Sequence, residues 1–304
     1  MTTQTTMAVI GAGPAGLAAA LTLSRSLQKT LVFDATTPFR NRDSPGVGAV
    51  LGRDRVLPGD LRGLGRQEIE GYGFVRFVDE TVSHLQGAKT GSGFEIRTGA
   101  GPVYYADRVL LACGMIDLFP EIPGLSSFWG TSIINCPFCH GYELRHRPWG
   151  VFVNRPEMLA AAEIYRTWTE DIVFFLEPGP EPAQERAAEL TAQGFGLERR
   201  RISRFIGTDD GLTAVRLEDG TDMRREGFVI WPFQKQTDLV ADIGLTMDER
   251  GFAVVDPGYR TNIDGLYAAG DLLYREHQNI NTAMHMGNLA ASTMVFDQAK
   301  QRVF

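Results

Sequence analysis

The sequence predicts an α/β fold with two domains, one of which is discontinuous in the chain. Two strand–turn–helix units support this class: the first starts at Met7–Ile10 and the second at Val151–Val153. At 304 residues the chain also exceeds the length that one hydrophobic core usually organises. We therefore predict one domain from residues 1–114 and 236–304, interrupted by a smaller domain over residues 115–235.

The first domain opens with a βαβ unit. Met7–Ile10 is an apolar run that predicts the first strand, and Thr30–Phe33 is predicted as the second. Between them, Pro14 to Leu27 carries leucines along one helical face, which predicts a helix. A loop rich in Arg, Gly and Pro follows over Phe39–Gly59. The further predicted elements are a helix at Leu61–Tyr72 and strands at Phe74–Val82, Gly93–Thr98, Val103–Tyr105 and Arg108–Ala112.

Prolines and glycines indicate hinges at both ends of the insertion. The first hinge lies near Gly114–Leu118, ahead of Pro120 and Pro123-Gly124, and the second lies near Gln234–Thr237. The elements predicted inside the insertion are a helix at Pro156–Thr169 and strands at Val151–Val153, Ile172–Leu176, Leu212–Leu217 and Phe228–Trp231. The elements predicted after it are strands at Phe252–Val255 and Gly265–Ala268 and a final helix at Thr282–Gln298.

Composition and charge narrow the functional classes. The chain is 43% hydrophobic and 22% charged, with a net charge of −7. This acidic balance argues against nucleic acid or an anionic membrane as a partner. No apolar run approaches the roughly 20 residues of a transmembrane helix, and the N-terminus lacks a signal-peptide pattern. We therefore expect a cytoplasmic protein, in which three cysteines are too few for a disulfide framework.

The turn after the first predicted strand has the spacing Gly11-x-Gly13-x-x-Gly16. Gly11 permits a tight turn, Gly13 lets the backbone approach a pyrophosphate, and Gly16 lets the helix pack closely on the strand. Asp34 follows the second strand, where an acidic residue binds a ribose hydroxyl. The combination predicts a dinucleotide site for FAD or NAD, with a purely structural glycine turn as the alternative. The fold class is then two Rossmann-like three-layer ββα domains.

The corresponding turn of the inserted domain lacks these glycines. It reads Val153-Asn154-Arg155-Pro156-Glu157-Met158-Leu159. Pro156 has no N–H to donate, and Glu157 at a helix start repels phosphate. The next strand ends in Leu176-Glu177-Pro178-Gly179, without a basic residue for a 2′-phosphate. We therefore predict that this domain keeps the fold but does not bind NADPH tightly.

The inserted domain carries a closely spaced dithiol, Cys136-Pro137-Phe138-Cys139-His140. Two cysteines separated by two residues can close a small disulfide and pass two electrons as one unit. His140 can accept the thiol proton, and Glu143 could orient its imidazole if the turn is helical. A dinucleotide fingerprint and a redox-capable cysteine pair in one chain predict electron transfer between a flavin and a disulfide.

Three other interpretations of the cysteine pair stay open. The CxxCH pattern also fits c-type haem attachment, which requires export. Cys136, Cys139, His140 and His146 could bind zinc, although no second CxxC pair is present and adjacent ligands are awkward in a tetrahedral site. The pair could also be a plain structural one. We predict no metal.

The third cysteine and two late histidines have ordinary interpretations. Cys113 ends a buried predicted strand and is interpreted as a small core residue. His277 and His285 flank the start of the last helix and are interpreted as surface or helix-cap residues.

With these motifs in hand, the chain resembles the low-molecular-weight thioredoxin reductase family. It is most similar to the branch with the dithiol oxidases of gliotoxin and holomycin biosynthesis and the thioredoxin reductases that do not use NADPH. The landmarks are Gly11-x-Gly13-x-x-Gly16, Arg40-Asn41, Leu51-Gly52-Arg53-Asp54, Ile122-Pro123-Gly124-Leu125, Trp129-Gly130, the run from Cys136 to Glu143, and Tyr267-Ala268-Ala269-Gly270-Asp271.

The resemblance implies a homodimeric FAD enzyme whose inserted domain bears the disulfide. It implies that Cys139 faces the flavin C4a atom and forms the charge-transfer thiolate, and that Cys136 meets the substrate. It also implies that Asp34 binds the ADP half of FAD, Asp271 the ribityl–phosphate region, and Gln278 and the Ile280 backbone the flavin ring. The full set of implied cofactor residues is Gly11, Gly13, Pro14, Ala15, Gly16, Asp34, Arg40, Asn41, Gly52, Asp54, Gly270, Asp271, Gln278, Asn279 and Ile280.

The chain departs from NADPH-dependent members in two ways. It lacks their second glycine turn and basic cluster, and it has His140 where they carry an acid. We therefore expect dithiol oxidation with oxygen as acceptor, with Cys136, Cys139, His140 and Glu143 as catalytic residues and a small-molecule dithiol or a thioredoxin-like protein as partner. The alternatives are a thioredoxin reductase fed by a donor other than NADPH, and a redox-sensing or interaction flavoprotein without turnover.

Overall fold

The computed structural model describes residues 3–35, 37–87, 93–99, 101–176, 181–273 and 277–301, without the side chains of residues 3 and 4. The strands are β1 Thr3–Ile10, β2 Thr30–Phe33, β3 Val75–Val78, β4 Val82–Gly87, β5 Phe94–Thr98, β6 Val103–Leu111, β7 Ile116–Leu118, β8 Ile133–Ile134, β9 Trp149–Val153, β10 Ile172–Leu176, β11 Gly196–Glu198, β12 Ile202–Thr208, β13 Gly211–Leu217, β14 Asp222–Arg224, β15 Gly227–Ile230, β16 Phe233–Lys235 and β17 Leu266–Ala268. The helices are α1 Pro14–Arg25, α2 Pro58–Glu70, α3 Leu125–Phe128, α4 Pro137–His140, α5 Glu157–Ala160, α6 Gln184–Ala192, α7 Asp238–Ala241 and α8 Ile280–Gln301, with a 3₁₀ helix at Ala162–Thr167.

The chain divides into two compact units. The first unit contains Met1–Arg40, Gly59–Asp117 and Gln234–Phe304, and the second contains Asn41–Pro58 and Leu118–Phe233. Both units have a sheet with parallel strands at its centre and helices in the connections, and in the first unit β5 and β4 extend this sheet through antiparallel pairs. This arrangement confirms the predicted α/β class.

The first unit is built on a seven-stranded sheet. Its order is β3-β2-β1-β6-β5-β4, with β17 added beside β6, and β1 pairs in parallel with both β2 and β6. Side chains of successive strand residues point to opposite faces. Met7 and Val9 accordingly enter one apolar cluster, while Ala8 and Ile10 enter the other. Both faces of the sheet are therefore covered here, which explains why Met7–Ile10 of β1 is apolar at every position.

Small residues bring α1 and α8 close together in the first unit. A Cβ at Gly287 of α8 would overlap the backbone carbonyl oxygen of Ala15 in α1. Gly270, with φ of +88°, approaches the same residue from another direction, since its Cβ would lie 3.1 Å from the Ala15 side chain. The start of α1 is therefore fixed by backbone packing rather than by long side chains.

The second unit has a five-stranded parallel sheet, ordered β11-β10-β9-β15-β8, and a separate antiparallel sheet of β12, β13 and β14. Trp149, Val151 and Val153 of β9 enter one buried cluster, and Phe152 enters another. The strand before the second turn is thus buried on both faces, like β1 in the first unit.

Most predicted elements are present, with three corrections. β2 and β10 have the predicted bounds, and the two runs predicted around residues 103–112 form the single strand β6. The helix predicted at Pro156–Thr169 is wrong, because α5 ends at Ala160 and a 3₁₀ helix follows it. Phe252–Val255 makes only an isolated bridge from Ala253 rather than a strand. The run Phe74–Val82 contains β3 and only the first residue of β4.

The units differ from the predicted domain bounds mainly at residues 41–58. The prediction put this segment in the first domain, whereas the contacts place it in the second unit. The reason is a close approach: a Cβ at Gly48 would overlap the carbonyl oxygen of Cys139. At the hinges, the unit bounds fall at 117/118 and 233/234, within a few residues of the predicted ones.

Candidate active site

The glycine-rich turn joins β1 to α1 in the first unit. Gly11 has φ of +107°, and a Cβ there would overlap the carbonyl oxygen of Ala112. A Cβ at Gly16 would overlap the Gly11 carbonyl oxygen, so close packing requires both glycines. At Gly13, the N-cap of α1, no described atom lies within 4 Å of the Cβ position. The helix therefore presents its first backbone donors, next to Pro14, towards open space, as a pyrophosphate site requires.

Asp34 follows β2 and is held by Arg62, an arginine that no sequence motif identifies. Arg62 Nη2 lies 2.7 Å from both carboxylate oxygens of Asp34, and its Nε donates to the Ala12 carbonyl at 3.2 Å. The guanidinium also lies over the Phe39 ring, 4.2 Å from its centroid. Arg62 thus ties the carboxylate expected at a ribose to the backbone of the glycine turn.

Arg40 is the centre of a second polar cluster in the first unit. Its Nε donates to Asp117 Oδ2 at 2.7 Å, and its Nη1 donates to Asp271 Oδ2 at 2.7 Å and Gln278 Oε1 at 3.1 Å. Burial raises the pKa of the Asp271 carboxyl, and the positive charge of Arg40 opposes this effect. The structure therefore brings together three predicted cofactor residues, Arg40, Asp271 and Gln278.

Two members of this cluster were not predicted. Gln234 Nε2 donates to Asp117 Oδ1 at 2.9 Å and to Gln278 Oε1 at 2.8 Å. Gln278 Nε2 returns a bond to Gln234 Oε1 at 3.0 Å and also donates to the Asp271 carbonyl at 3.1 Å. Asp117 and Gln234 hold the side chain of Gln278 in place. They would therefore position the residue that the family resemblance places against the flavin ring.

The residues around the start of α8 have mostly structural contacts. Asn279 Oδ1 accepts the Thr282 N–H at 2.9 Å, and Asn279 Nδ2 donates to the His277 carbonyl at 3.1 Å. Ile280 is the first residue of α8. His277, with φ of +67°, and His285 are both exposed. Asn279 therefore caps the helix. Its contact with FAD stays a prediction.

Three other predicted cofactor residues lie in the 41–58 segment of the second unit. Asp54 Oδ1 accepts the Ala49 N–H at 2.8 Å, and Gly52 has φ of +78°. Asn41 also has a positive φ, of +59°. These contacts shape the loop next to the cysteine pair, and the role of the three residues in binding FAD stays a prediction.

The cysteine pair lies at a single helical turn in the second unit. Cys136 is the N-cap of α4, and its carbonyl accepts the backbone N–H of Cys139 at 3.1 Å and of His140 at 3.2 Å. The two cysteines form a disulfide with Cα atoms 5.3 Å apart, and both are half-buried. The turn therefore presents His140 on the residue directly after the second sulfur.

The imidazole of His140 is held by the 41–58 segment. Its Nε2 lies 2.8 Å from Ser44 Oγ and 3.1 Å from the Gly46 carbonyl oxygen. Ser44 is buried, and its hydroxyl donates to the same carbonyl at 2.8 Å. A carbonyl oxygen can only accept, so Nε2 carries the proton and Nδ1 is the basic nitrogen of the neutral ring.

The expected pairing of Glu143 with His140 is wrong. The His140 partners in the described part of the chain are Ser44 and Gly46, while Glu143 Oε1 lies 3.8 Å from Arg55 Nε. The helical turn ends at His140, so the i+3 spacing does not continue as a helix to residue 143.

A cavity of about 410 Å³ adjoins the disulfide within the second unit. Its wall combines the 45–48 loop, the second cysteine with its histidine, and four side chains with charge or an aromatic ring. The lining residues are Pro45, Gly46, Val47, Gly48, Arg55, Cys139, His140, Tyr142, Glu143 and Arg145. A small molecule in this space would contact Cys139 and His140.

Side chains of the turn after β9 bond to the chain's own backbone. Asn154 Nδ2 donates to the Trp231 carbonyl at 3.0 Å, and Arg155 Nη2 donates to the Pro232 carbonyl at 3.1 Å. The Arg155 guanidinium also lies 4.5 Å from the centroid of the Phe233 ring. The helix that follows, α5, has only four residues. Residues 177–179, where we predicted no basic group, lie outside the described residues.

Cys113 lies beside Thr237 in the first unit. The Thr237 hydroxyl lies 3.8 Å from Cys113 Sγ, and burial raises the pKa of this thiol. Over the described ranges, no group of three or more His, Cys, Asp or Glu side chains is placed to hold a metal ion. In the same residues, no helix combines the length and apolar character that crossing a membrane demands.

Known proteins with the same arrangement are disulfide oxidoreductases. The family described as pyridine nucleotide-disulphide oxidoreductase matches residues 5–159 and 172–287. Thioredoxin reductase tcpT of Claviceps purpurea is 29% identical over 94% of this chain and 93% of its own length. Thioredoxin reductase sirT of Leptosphaeria maculans is 31% identical over 86% of this chain and 85% of its own length.

Solved structures agree with this assignment. The putative thioredoxin reductase TrxB from Bacillus anthracis superposes with a TM-score of 0.92 at 30% identity, covering 98% of this chain and 99% of that one. HlmI superposes with a TM-score of 0.91 at 28% identity, covering 99% and 94% of the two chains. The open helix start at Gly13 fits the FAD of this family, and the cysteine pair fits its chemistry. The chain belongs to the pyridine nucleotide-disulphide oxidoreductase family, as an FAD-dependent, thioredoxin reductase-like oxidoreductase.

Proposed function

We propose that this protein oxidises a substrate dithiol through the Cys136–Cys139 pair, with FAD as cofactor and oxygen as final acceptor, and without tight NADPH binding. The turn after β9 carries this proposal. In a dinucleotide fold, the pyrophosphate lies against free N–H groups at the start of a helix. Here the Asn154 and Arg155 side chains bond to backbone carbonyls 77 positions further along the chain, Pro156 has no N–H, and the helix is one turn long.

The cysteine pair and His140 supply the thiol chemistry. The first substrate thiolate attacks the disulfide at Cys136, forming a mixed disulfide and releasing Cys139 as a thiolate. The second substrate thiol then attacks the mixed disulfide, so the substrate leaves as a disulfide and Cys136 becomes a thiol. Two electrons and two protons have then moved from the substrate to the protein. FAD, when bound, would supply the acceptor for this electron pair, with oxygen as the final acceptor and hydrogen peroxide as the product.

His140 accepts and returns a proton in these steps. Its Nδ1 is the basic nitrogen, since Ser44 and Gly46 engage Nε2–H. It can therefore accept a proton from an incoming thiol, which creates the thiolate nucleophile, and later return it. Ser44 and Gly46 hold the ring and stabilise the charged imidazolium through the same contacts.

The test is anaerobic absorbance of the flavin in the purified holoenzyme, with NADPH added first and a dithiol second. We expect the flavin to stay oxidised with NADPH and to bleach with the dithiol. Readmitted air should restore the oxidised spectrum at a rate that supports turnover, with peroxide formed. Rapid bleaching by NADPH, or a micromolar NADPH dissociation constant, would overturn the proposal.

A second function, a thioredoxin reductase fed by a donor other than NADPH, is favoured by one surface feature. Phe138, inside the redox turn, is 69% exposed, and Tyr142 is 56% exposed. Exposed aromatic side chains beside a disulfide suit docking of a protein partner. This function predicts reduction of a thioredoxin-like protein by the reduced enzyme and slow reaction with oxygen, the reverse of the first proposal.

The proposal also includes a homodimer in the cytoplasm. Phe296 on α8 is 69% exposed, and Met284 and Leu289 on the same helix are about two-fifths exposed. A second copy of the chain would remove such side chains from water. Size-exclusion chromatography with light scattering tests the dimer: a mass of one chain at micromolar concentration would contradict it.

A further inference from the structure

We infer that Gln278 uses its side-chain amide to position Arg40 rather than to bond FAD, and that Arg40 Nη2 donates to a phosphate of the cofactor. The family resemblance sets Gln278 against the flavin ring, so the inference gives its side chain a different role in this chain. It concerns how the protein holds FAD, and it applies to both electron paths proposed above.

Four side chains of the first unit form a closed ring of hydrogen bonds. Asp117 accepts from Gln234 Nε2 at 2.9 Å and from Arg40 Nε at 2.7 Å. Gln278 Oε1 accepts from Gln234 Nε2 at 2.8 Å and from Arg40 Nη1 at 3.1 Å. Gln278 Nε2 donates back to Gln234 Oε1 at 3.0 Å. Each of the four side chains is therefore bonded to two others of the ring.

The Gln278 amide has no hydrogen-bonding capacity left. A glutamine side chain offers two N–H donors and two acceptor positions on its oxygen. The oxygen accepts from Gln234 and Arg40, and the two Nε2 hydrogens go to Gln234 and to the Asp271 carbonyl, the latter at 3.1 Å. A flavin could bond this amide only if one of these bonds broke. That exchange gains little and leaves one of the three partners unpaired.

The charged members of the ring fix which way both amides point. The Asp117 carboxylate only accepts, so it faces Gln234 Nε2, and the Arg40 guanidinium only donates, so it faces Gln278 Oε1. Turning over either amide would set donor against donor or acceptor against acceptor. The Asp117 side chain is only 6% exposed, so water does not readily replace a lost bond. The ring therefore holds the guanidinium in one position.

Arg40 is the member of the ring with donors to spare. A guanidinium has five N–H bonds, and Nε and Nη1 use three of them on Asp117, Asp271 and Gln278. Among the described residues none accepts from Nη2, and the Arg40 side chain is 22% exposed. Guanidinium groups bond phosphate oxygens especially well, because charge and geometry both match.

Asp271 connects this free donor to the cofactor. Arg40 Nη1 donates to its carboxylate at 2.7 Å, and the family resemblance sets Asp271 at the ribityl–phosphate region of FAD. The guanidinium therefore belongs to the region where FAD carries its negative charges. Arg40 also offsets the charge of the Asp271 carboxylate, which would otherwise repel a phosphate.

The experiment measures the FAD dissociation constant by diluting the holoenzyme and following flavin fluorescence. Gln278→Met keeps the length of the side chain and removes the amide. We expect it to weaken FAD binding about tenfold, the effect of about one lost hydrogen bond. Arg40→Gln should weaken binding further, because it removes the donor itself. In that background Gln278→Met should cause no additional loss, since the amide acts through Arg40.

A second cycle serves if Arg40→Gln does not fold. Gln234→Met breaks the same ring, so Gln234→Met, Gln278→Met and their double variant should all bind FAD about tenfold more weakly, without the hundredfold loss that independent contacts would give. At saturating FAD, the flavin absorption maxima of all three should match wild type, because no hydrogen bond to the ring is lost.

Gln28→Met is the matched control. Gln28 is a half-buried glutamine of the first unit that donates to the Ser26 carbonyl at 2.7 Å, away from the ring. Its variant should keep the wild-type FAD affinity. Far-UV circular dichroism checks that each variant is folded.

Four results overturn the inference. A further loss of affinity from Gln278→Met in the Arg40→Gln background means that the amide reaches FAD itself. A hundredfold loss in the Gln234–Gln278 double variant, or a flavin spectrum that shifts in Gln278→Met alone, has the same meaning. Wild-type affinity in Gln278→Met removes the amide from cofactor binding. An affinity of Arg40→Gln no weaker than that of Gln278→Met removes Arg40 as the phosphate donor.

Discussion

Ser44 Oγ lies 2.8 Å from His140 Nε2, joining two residues 96 positions apart in the sequence. The same histidine nitrogen contacts the Gly46 carbonyl, and this contact fixes its protonation. The basic nitrogen beside the disulfide is thereby set by a loop from a distant part of the chain.

Replacing Ser44 with alanine should slow the thiol step. The Ser44→Ala variant removes one partner of Nε2–H, so we expect dithiol-driven flavin reduction to fall about tenfold, with normal flavin content. Stopped-flow absorbance under anaerobic conditions measures this rate. Ser203→Ala, at an exposed serine bonded to backbone carbonyls of the same unit, is the control and should match wild type. A Ser44→Ala rate equal to wild type would remove Ser44 from the mechanism.

Cysteine substitutions test the electron path. Cys139→Ser leaves no disulfide to be attacked, so dithiols should no longer bleach the flavin at a catalytic rate. Cys113→Ser, at the thiol beside Thr237, should keep that reaction. Titration of flavin absorbance with dithiothreitol checks both variants. Bleaching of Cys139→Ser at the wild-type rate would mean that the relay is assigned to the wrong sulfur.

Gly48 should not tolerate a side chain. In Gly48→Ala, the Cβ would overlap the Cys139 carbonyl, so the 41–58 loop must shift. We expect a loss of about 1–3 kcal/mol in the free energy of unfolding, as for other overpacked sites, and slower flavin reduction. Gly63→Ala in α2 is the matched control, because no described atom lies within 4 Å of that Cβ position. Thermal unfolding should show no loss for Gly63→Ala, and equal stability of both variants would contradict the overlap.

Asp297 should make stability depend on pH. Arg260 donates two bonds to its carboxylate, at 2.6 and 2.7 Å, and lowers the pKa of Asp297, with Tyr267 adding a third bond. A lowered pKa in the folded state stabilises the protein above the ordinary value of 3.8, and this gain is lost as pH falls through the folded pKa.

Asp297→Asn should therefore cost about 1–3 kcal/mol at pH 7. The difference from wild type should shrink as the pH falls below about 4. Denaturant unfolding at several pH values measures it. Asp264→Asn, at an exposed aspartate of the same unit, is the comparison. A difference that is constant with pH would show that the ion pair does not cause the stabilisation.

Short buried strands could be predicted from the sequence, and helices of the second unit could not. β10 is apolar and buried at every position, and β2 is buried throughout and apolar after Thr30, so local pattern alone sets their bounds. Around Pro156 the apolar pattern predicts a long helix, but the chain makes one α turn and then a 3₁₀ helix. Side-chain bonds from Asn154 and Arg155 to distant carbonyls hold the entry to that segment, and no local pattern reports them.

The residues of the candidate active site were likewise predictable only where they form a local motif. The glycine turn and the cysteine pair are local motifs, and both are evident from the sequence alone. Glu143 was chosen by its distance along the chain from His140, whereas the histidine contacts a serine from another segment. Arg62, Asp117 and Gln234 were missed for the same reason, because each meets its partner only through the tertiary fold.

The polar cluster around Arg40 has a consequence for protein engineering. The chain passes between the units after residues 40, 58, 117 and 233. Arg40, Asp117 and Gln234 border three of these four junctions, and hydrogen bonds connect them to one another. Splice points placed just outside these residues would leave the cluster intact. A chimaera that exchanges the disulfide-bearing unit of one relative for that of another should therefore be joined there.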